Sequence, residues 1–205
     1  MVIGITGPAG SGKSHVLRLL REELNVPFID SDSTTKKLYQ PGGETLSEIR
    51  LAFGDRALLP DGNLDRGFMA ELVFHDAAAL NTLNRITHPP TIRLIKEEIA
   101  RHTAEGSRVI FVESAIAGEA GYREELLSEL WLIYASEETR YRRLQEQRGY
   151  TKERIRAVFS SQKPLSGYLR ECDRLLVNEE GTTDGEILRQ GRILLEVCQM
   201  GSGML

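Results

Sequence analysis

The chain has 205 residues, 40% of them hydrophobic and 27% charged, with 26 basic against 30 acidic residues and a net charge of −4. That suits one α/β domain with insertions, or one and a half small domains, and shows no basic excess for a nucleic-acid partner. No apolar run approaches membrane-spanning length, the start lacks the layout of a signal peptide, and Cys172 and Cys198 are too few for a disulfide framework, so the expectation is a reduced, cytoplasmic protein with no membrane partner.

Val2-Ile3-Gly4-Ile5-Thr6 is a short apolar run of strand type. Gly7-Pro8-Ala9-Gly10-Ser11-Gly12-Lys13-Ser14 follows it and fits G-x-x-x-x-G-K-[ST], the loop that cradles the phosphates of a nucleoside triphosphate. Val16, Leu17, Leu19, Leu20 and Leu24 then recur at helical spacing. Strand, glycine-rich loop and helix are the parts an anion nest needs, because the backbone N–H groups converge where the helix dipole is positive. Gly10, Ser11 and Gly12 are therefore candidate phosphate-binding residues. Lys13 would reach the β- and γ-phosphates, and the Ser14 hydroxyl would join a Mg²⁺ shell.

Pro27-Phe28-Ile29-Asp30 reads as a second strand, and Ser31-Asp32-Ser33 offers several caps for a helix running toward Tyr39. Asp32 is either a general base or a helix cap. Asp30 has the same ambiguity, with the further option of fixing Lys13 or a Mg²⁺-bound water. Residues 44–103 read as helical around a turn at Pro60-Asp61-Gly62-Asn63. This block is long for a plain crossover and is a candidate substrate-binding insertion.

Residues 108–113, 131–134 and 175–178 read as three more strands, whose continuous apolar runs suggest a parallel sheet covered on both faces. Glu113 ends the first of these, in a Walker-B-like position or as a solvated strand end. The charged stretch from Glu137 to Arg170 reads as a helical hairpin with a loop near Gly149, and its arginines at 140, 142, 143 and 148 either close over a phosphoryl group or form a solvated helix face. Asp184 to Met200 reads as a closing amphipathic helix, with a loose tail from Gly201. His15, His75, His88 and His102 show no ligand spacing, so protein-bound zinc is not expected. The fold expected is α/β: a doubly wound, five-stranded parallel sheet with a helical insertion.

From Val2 to about Leu188 the chain resembles the dephospho-CoA kinase family. Ile29-Asp30-Ser31-Asp32 is similar to the family's I-D-A-D, Asp61-Gly62-Asn63-Leu64-Asp65-Arg66 to its D-G-x-L-D-R, and Leu83-Asn84-Arg85-Ile86-Thr87-His88-Pro89 to its L-x-x-I-x-H-P. Phe53-Gly54, Val73-Phe74, Gln162, Asp173 and Asn178 fall at matching places. Taken alone, His88-Pro89 could be a turn that starts a helix, and Asp65-Arg66 a surface cap and ion pair. The resemblance implies transfer of the ATP γ-phosphoryl group to the ribose 3′-hydroxyl of 3′-dephospho-CoA, with Mg²⁺. It implies Asp32 as catalytic base beside Lys13. His15, Arg143, Arg148 and Asn178 join the loop on the nucleotide side, and Asp30, Arg66, His88 and Glu113 lie on the substrate side. It also implies one domain of P-loop kinase type over 1–205, with a core of 1–32, 104–139 and 171–200, a CoA-side insertion of 33–103 and a helical lid of 140–170; a monomer or small homo-oligomer is expected. The chain departs from the family at Lys36 (Arg in the family), His15 (Thr), Gln147 (the lid Arg, with Arg148 one place later) and Ala115-Ile116-Ala117-Gly118 (P-L-L-F). Two other functions compete: a kinase of another small hydroxylated acceptor, and an ATP-binding regulatory module without catalysis.

Overall fold

A computed structural model describes the backbone of residues 1–113 and 122–202, with side chains as far as Cys198. The altered Ala115–Glu119 segment lies outside the described residues. Five strands form one sheet, in the order β2-β3-β1-β4-β5. β1 (Val2–Thr6) pairs in parallel with β3 (Ile110–Glu113) and with β4 (Glu129–Tyr134), and β4 pairs in parallel with β5 (Arg174–Val177). β2 (Phe28–Asp30) is the edge strand beside β3. The parallel five-stranded α/β architecture expected from the sequence is therefore present.

β4 begins two residues earlier than the apolar run suggests. Glu129 starts it because its carboxylate is satisfied by Arg174 at 3.1 and 3.2 Å and by the Trp131 indole N–H at 2.9 Å. β3 begins later, at Ile110. The inward side chains Ile3, Ile5, Phe111, Trp131, Ile133 and Leu176 pack with Val16, Leu17 and Leu20 of α1 (Lys13–Leu24) and Ile187 of α10 (Asp184–Ser202). Burying each such side chain fully stabilises the fold by about 1.5–3 kcal/mol. α1 and α10 approach closely at Gly191, where an added Cβ would meet Leu20 at 2.4 Å.

The chain divides into two compact units, residues 1–28 with 105–205, and residues 29–104. The second unit contains α2 (Ser31–Lys36), a 3₁₀ turn at Lys37–Tyr39, α3 (Glu44–Phe53), α4 (Arg66–His75) and α5 (Ala77–Ala104). Its own core is Leu46, Ile49, Ala57 and Met69. Residues 60–63 form the expected turn, closed by Leu59 N–H to the Asn63 carbonyl at 2.8 Å, with Gly62 at φ +82°. His88-Pro89 is not a helix-starting turn: Pro89 and Pro90 both lie inside α5. Each proline removes one helical hydrogen bond. Thr87 and Thr91 add side-chain bonds to the Leu83 and Thr87 carbonyls at 2.9 and 2.7 Å along this stretch.

The charged stretch is three helices rather than a hairpin: α7 (Glu137–Glu146), α8 (Lys152–Ser161) and α9 (Leu165–Glu171). Pro164 ends the connection and starts α9, since a proline fits where a helix begins but not inside it. A short helix, α6 (Tyr122–Leu126), precedes β4 and had no clear periodic signal. At the other end α10 runs to Ser202, past the start of the expected tail.

Candidate active site

The Gly7–Ser14 loop leaves the carboxyl end of β1, the strand whose neighbours β3 and β4 lie on opposite sides. The order of a parallel sheet reverses at such a strand, and ligands bind in the crevice it opens. Gly10 and Gly12 both sit at φ +82°, a region side chains avoid. A Cβ on Gly12 would meet Asn178 Nδ2 at 2.3 Å, and one on Gly10 the Arg140 carbonyl at 2.8 Å. Gly12 is also the N-cap of α1 and offers no capping side chain, and the first turn carries no acidic residue. The positive end of this helix is thus left for an external anion.

The back of the loop is clamped. Asn178 Nδ2 donates to the Ser11 carbonyl at 2.8 Å. Arg143 donates to the Ser11 carbonyl at 3.3 Å, to the Glu179 carbonyl at 3.2 Å and to Asn178 Oδ1 at 3.4 Å. Because a peptide unit is planar and trans, holding these carbonyls on one side turns the intervening N–H groups to the other. The loop borders a cavity of about 350 Å³, lined by Pro8 to Gly10, Gly12 to His15, Arg143, Leu144, Gln147, Arg148 and Gln162. Lys13 folds over the loop, its Nζ donating to the Gly7 carbonyl at 2.8 Å.

α7 brings Arg143 to the loop, and Glu179 fixes the start of α7. The Glu179 carboxylate accepts from Ser136 N–H at 2.7 Å, Ser136 Oγ at 3.0 Å and Thr139 Oγ1 at 2.6 Å. Burial would raise its pKa, but these donors and the Arg143 charge hold it below the usual carboxylate value. Burial lowers the Arg143 pKa, opposed by Glu179 and Glu180; guanidinium is so basic that it remains a cation at neutral pH. His15 stands at the cavity edge with Nε2 2.8 Å from Asp184 Oδ1 and Nδ1 3.3 Å from Arg18 Nη2. Arginine is only a donor, so Nδ1 accepts and Nε2–H donates to Asp184.

The nucleotide-side candidates thus assemble around one cavity in two ways. Gly10, Gly12, Lys13, Ser14, His15, Arg143 and Arg148 line it. Ser11 and Asn178, 1% and 4% exposed, do not; they hold the loop from behind. Glu113 closes β3, next to the segment outside the described residues.

In the other unit, Asp30 is the N-cap of α2: its carboxylate accepts from Asp32 N–H at 3.0 Å and from Ser33 N–H and Oγ at 3.3 and 2.6 Å. Asp32 lies in the first turn of α2, exposed, and its carboxylate is not the cap. Arg66 opens α4 and lies 5.9 Å from the Tyr39 ring centre. Burial raises the Tyr39 pKa, opposed by the Arg66 charge. His88 is half-buried inside α5, beside Pro89.

A family model described as dephospho-CoA kinase matches residues 1–184. The chain belongs to the dephospho-CoA kinase family. Members of this family are kinases that transfer phosphate to a hydroxyl group. The chain is similar to a dephospho-CoA kinase of Listeria monocytogenes, 31% identical over 178 residues, covering 87% of this chain and 88% of that one. The TT1252 protein of Thermus thermophilus is 30% identical, with a TM-score of 0.79 over 96% of both chains. Dephospho-CoA kinase from Campylobacter jejuni, 22% identical, shares the fold with a TM-score of 0.67 over 98% of each chain.

Within this dephospho-CoA kinase fold, several residues of the site carried no assignment in the sequence. Gln162 Oε1 accepts from the Ala9 N–H at 3.0 Å, across 153 residues of sequence. Only its place in the family pattern marked it. Glu179 had no signal except adjacency to Asn178. Pro8, Leu144 and Gln147 join the cavity wall because α7 and α8 pack beside the loop, a matter of tertiary contact rather than local pattern.

Proposed function

We propose that this protein transfers the γ-phosphoryl group of ATP to the ribose 3′-hydroxyl of 3′-dephospho-CoA. The observation that carries the nucleotide half is the cavity bordered by Gly12, Lys13 and Ser14, with α1 uncapped beneath it and two further arginines on its wall. The residues present suit a triphosphate: a nest with left-handed glycines, a lysine, and a hydroxyl on the next residue. The same donor set suits a Mg²⁺–nucleotide complex, in which Ser14 would be the protein ligand. Magnesium there would neutralise the phosphate charge and favour the departure of ADP.

In this reading the 3′-oxygen forms a bond to the γ-phosphorus as the bond from that phosphorus to the β–γ bridging oxygen breaks. The hydroxyl proton passes to the Asp32 carboxylate. Lys13, Arg143 and Arg148 hold the phosphates and offset charge that grows on the oxygens between them. Asp32 is assigned as the base because Asp30, its near neighbour, is engaged as a helix cap. Residues 33–103 are assigned to the acceptor, with Asp30, Arg66, His88 and Glu113 as substrate-side residues, and residues 140–170 to a lid that excludes water. That 29–104 forms a compact unit with its own core is in keeping with a separate acceptor module. We place the reaction in the cytoplasm; no helix among the described residues is long and apolar enough to cross a membrane, and Cys172 and Cys198 form no disulfide.

The direct test is incubation with ATP, Mg²⁺ and dephospho-CoA, with the product identified by mass. CoA and ADP in equal amounts are expected. Nucleosides in place of dephospho-CoA should give no ADP above background. ATP binding without CoA at high enzyme concentration would overturn the assignment.

A further inference from the structure

Arg140 is a buried cation outside the nucleotide cavity. It sits on α7 one turn before Arg143, yet it is only 6% exposed and lines a different cavity from the one Arg143 borders. Its Nε is fully buried and has no hydrogen-bond partner among the described residues. No carboxylate of the described residues makes an ion pair with it. Burial disfavours its charged form, opposed through space by Glu137, Tyr168 and Tyr134; Glu137, one turn earlier, is exposed, shares no hydrogen bond with it and borders the same cavity. The Arg140 guanidinium lies over the Phe159 ring, 4.6 Å from its centre.

A buried guanidinium with an unpartnered N–H is costly, and such a group calls for a specific explanation. Arg140 supplies one, since it lines a second cavity of about 310 Å³. Pro8 and Gln162 border this cavity as well as the nucleotide cavity, so the two lie on either side of one wall. Ser160 and Lys163 add polar groups. Lys163 pairs with Glu171 and lies 4.8 Å from the Tyr168 ring centre, so its charge is already engaged. Phe159 covers a face of the Arg140 guanidinium, and a guanidinium directs its N–H groups in its own plane. Nε itself is closed off, so the Nη end of the fork is what a ligand in the cavity would meet, with Nε–H as its buried reporter. In-plane N–H groups pair with two oxygens of one phosphate or carboxylate.

We infer that this second cavity is an oxyanion site, in which the Nη end of Arg140 receives a phosphate or diphosphate group. Two sources share that chemistry: free inorganic phosphate, and the diphosphate bridge of the acceptor. The second source rests on the function proposed above; the site itself does not.

The test follows the arginine Nε–H resonances by NMR in the full-length chain carrying Lys13→Ala, which weakens the loop's own grip on phosphate. Titrated inorganic pyrophosphate should shift the buried Arg140 Nε–H signal. Adding Arg140→Gln should weaken pyrophosphate binding at least tenfold, while Arg140→Lys, which keeps the charge, should weaken it less. An unmoved Arg140 signal overturns the proposal without any variant at Arg140, so a fold lost in Arg140→Gln does not obscure the result. Equal affinity in a folded Arg140→Gln variant overturns it too. If dephospho-CoA shifts the signal at lower concentration than orthophosphate does, the site belongs to the acceptor. If only the inorganic anions shift it, the site stands as a free-phosphate site. Formation of CoA, measured separately, decides the kinase assignment whichever way this site responds.

Discussion

The side-chain amide of Asn178 donates to the carbonyl of Ser11 at 2.8 Å, joining the end of β5 to the phosphate loop across 167 residues of sequence. The contact is buried, and it lies directly behind Gly12, where Nδ2 would be 2.3 Å from an added Cβ. The loop's shape is therefore held from behind rather than by its own sequence alone.

Asn178→Ala should lower stability by about 1–3 kcal/mol, the range for a buried polar group that loses its partner. It should also raise the KM for ATP more than it lowers kcat, because the loop loosens without losing a reacting group. Chemical denaturation and steady-state kinetics check both. Gly12→Ala should abolish nucleotide binding. Combining it with Asn178→Ala removes the collision but not the φ of +82°, so binding should stay lost in the double variant.

The adjacent aspartates should separate cleanly. Asp30→Ala removes the cap of α2 and should cost about 0.5–2 kcal/mol of stability. Asp32→Asn keeps the cap. It should leave the melting temperature and the ATP affinity nearly unchanged, while kcat falls by roughly 10²–10⁴-fold if this carboxylate takes the proton. Full activity in Asp32→Asn would remove it as the base.

Gln162 ties the end of α8 to the loop through the Ala9 amide. Gln162→Met keeps the length but loses the acceptor, so hydrogen exchange at the Ala9 N–H should accelerate. Gln162→Glu retains an acceptor oxygen, so protection should persist, while its added charge near the phosphates should raise the KM for ATP. Unchanged exchange in both variants would mean the tether does not persist in solution.

Alkaline pH should destabilise the sheet end where Cys198 Sγ lies 2.9 Å from Glu129 Oε2. Burial, and then the Glu129 carboxylate, push this thiol from its ordinary 9.0 up to about 11. The folded state thus holds the proton more tightly than the unfolded state. Stability from this group is fully present below pH 9.0 and falls as pH rises toward about 11. Urea midpoints measured across that window should decline in the native protein, and Cys198→Ala should flatten the decline.

Local pattern made much of this protein readable. The apolar runs predicted the parallel strands, since a strand covered on both faces must be apolar throughout, and Gly7 to Ser14 announced an anion site because few backbones other than a glycine-rich turn before a helix can present converging N–H groups. The spacing of the charged stretch misled at Pro164, where helical periodicity continued past a residue that restarts the chain as a new helix. At Pro89 and Pro90 the helical reading of residues 44–103 holds, and α5 continues through residues that lack a helical donor. What sequence alone determined was the chemistry of the loop and the parallel α/β class, both short-range consequences of residue type. Tertiary structure alone decided that Asn178 and Arg143 hold the loop's carbonyls, that Gln162 reaches Ala9, and that Arg140 is buried with no hydrogen-bond partner for its Nε among the described residues. Those outcomes depend on side chains far apart in the chain meeting at hydrogen-bond distance, and no local periodicity carries that information.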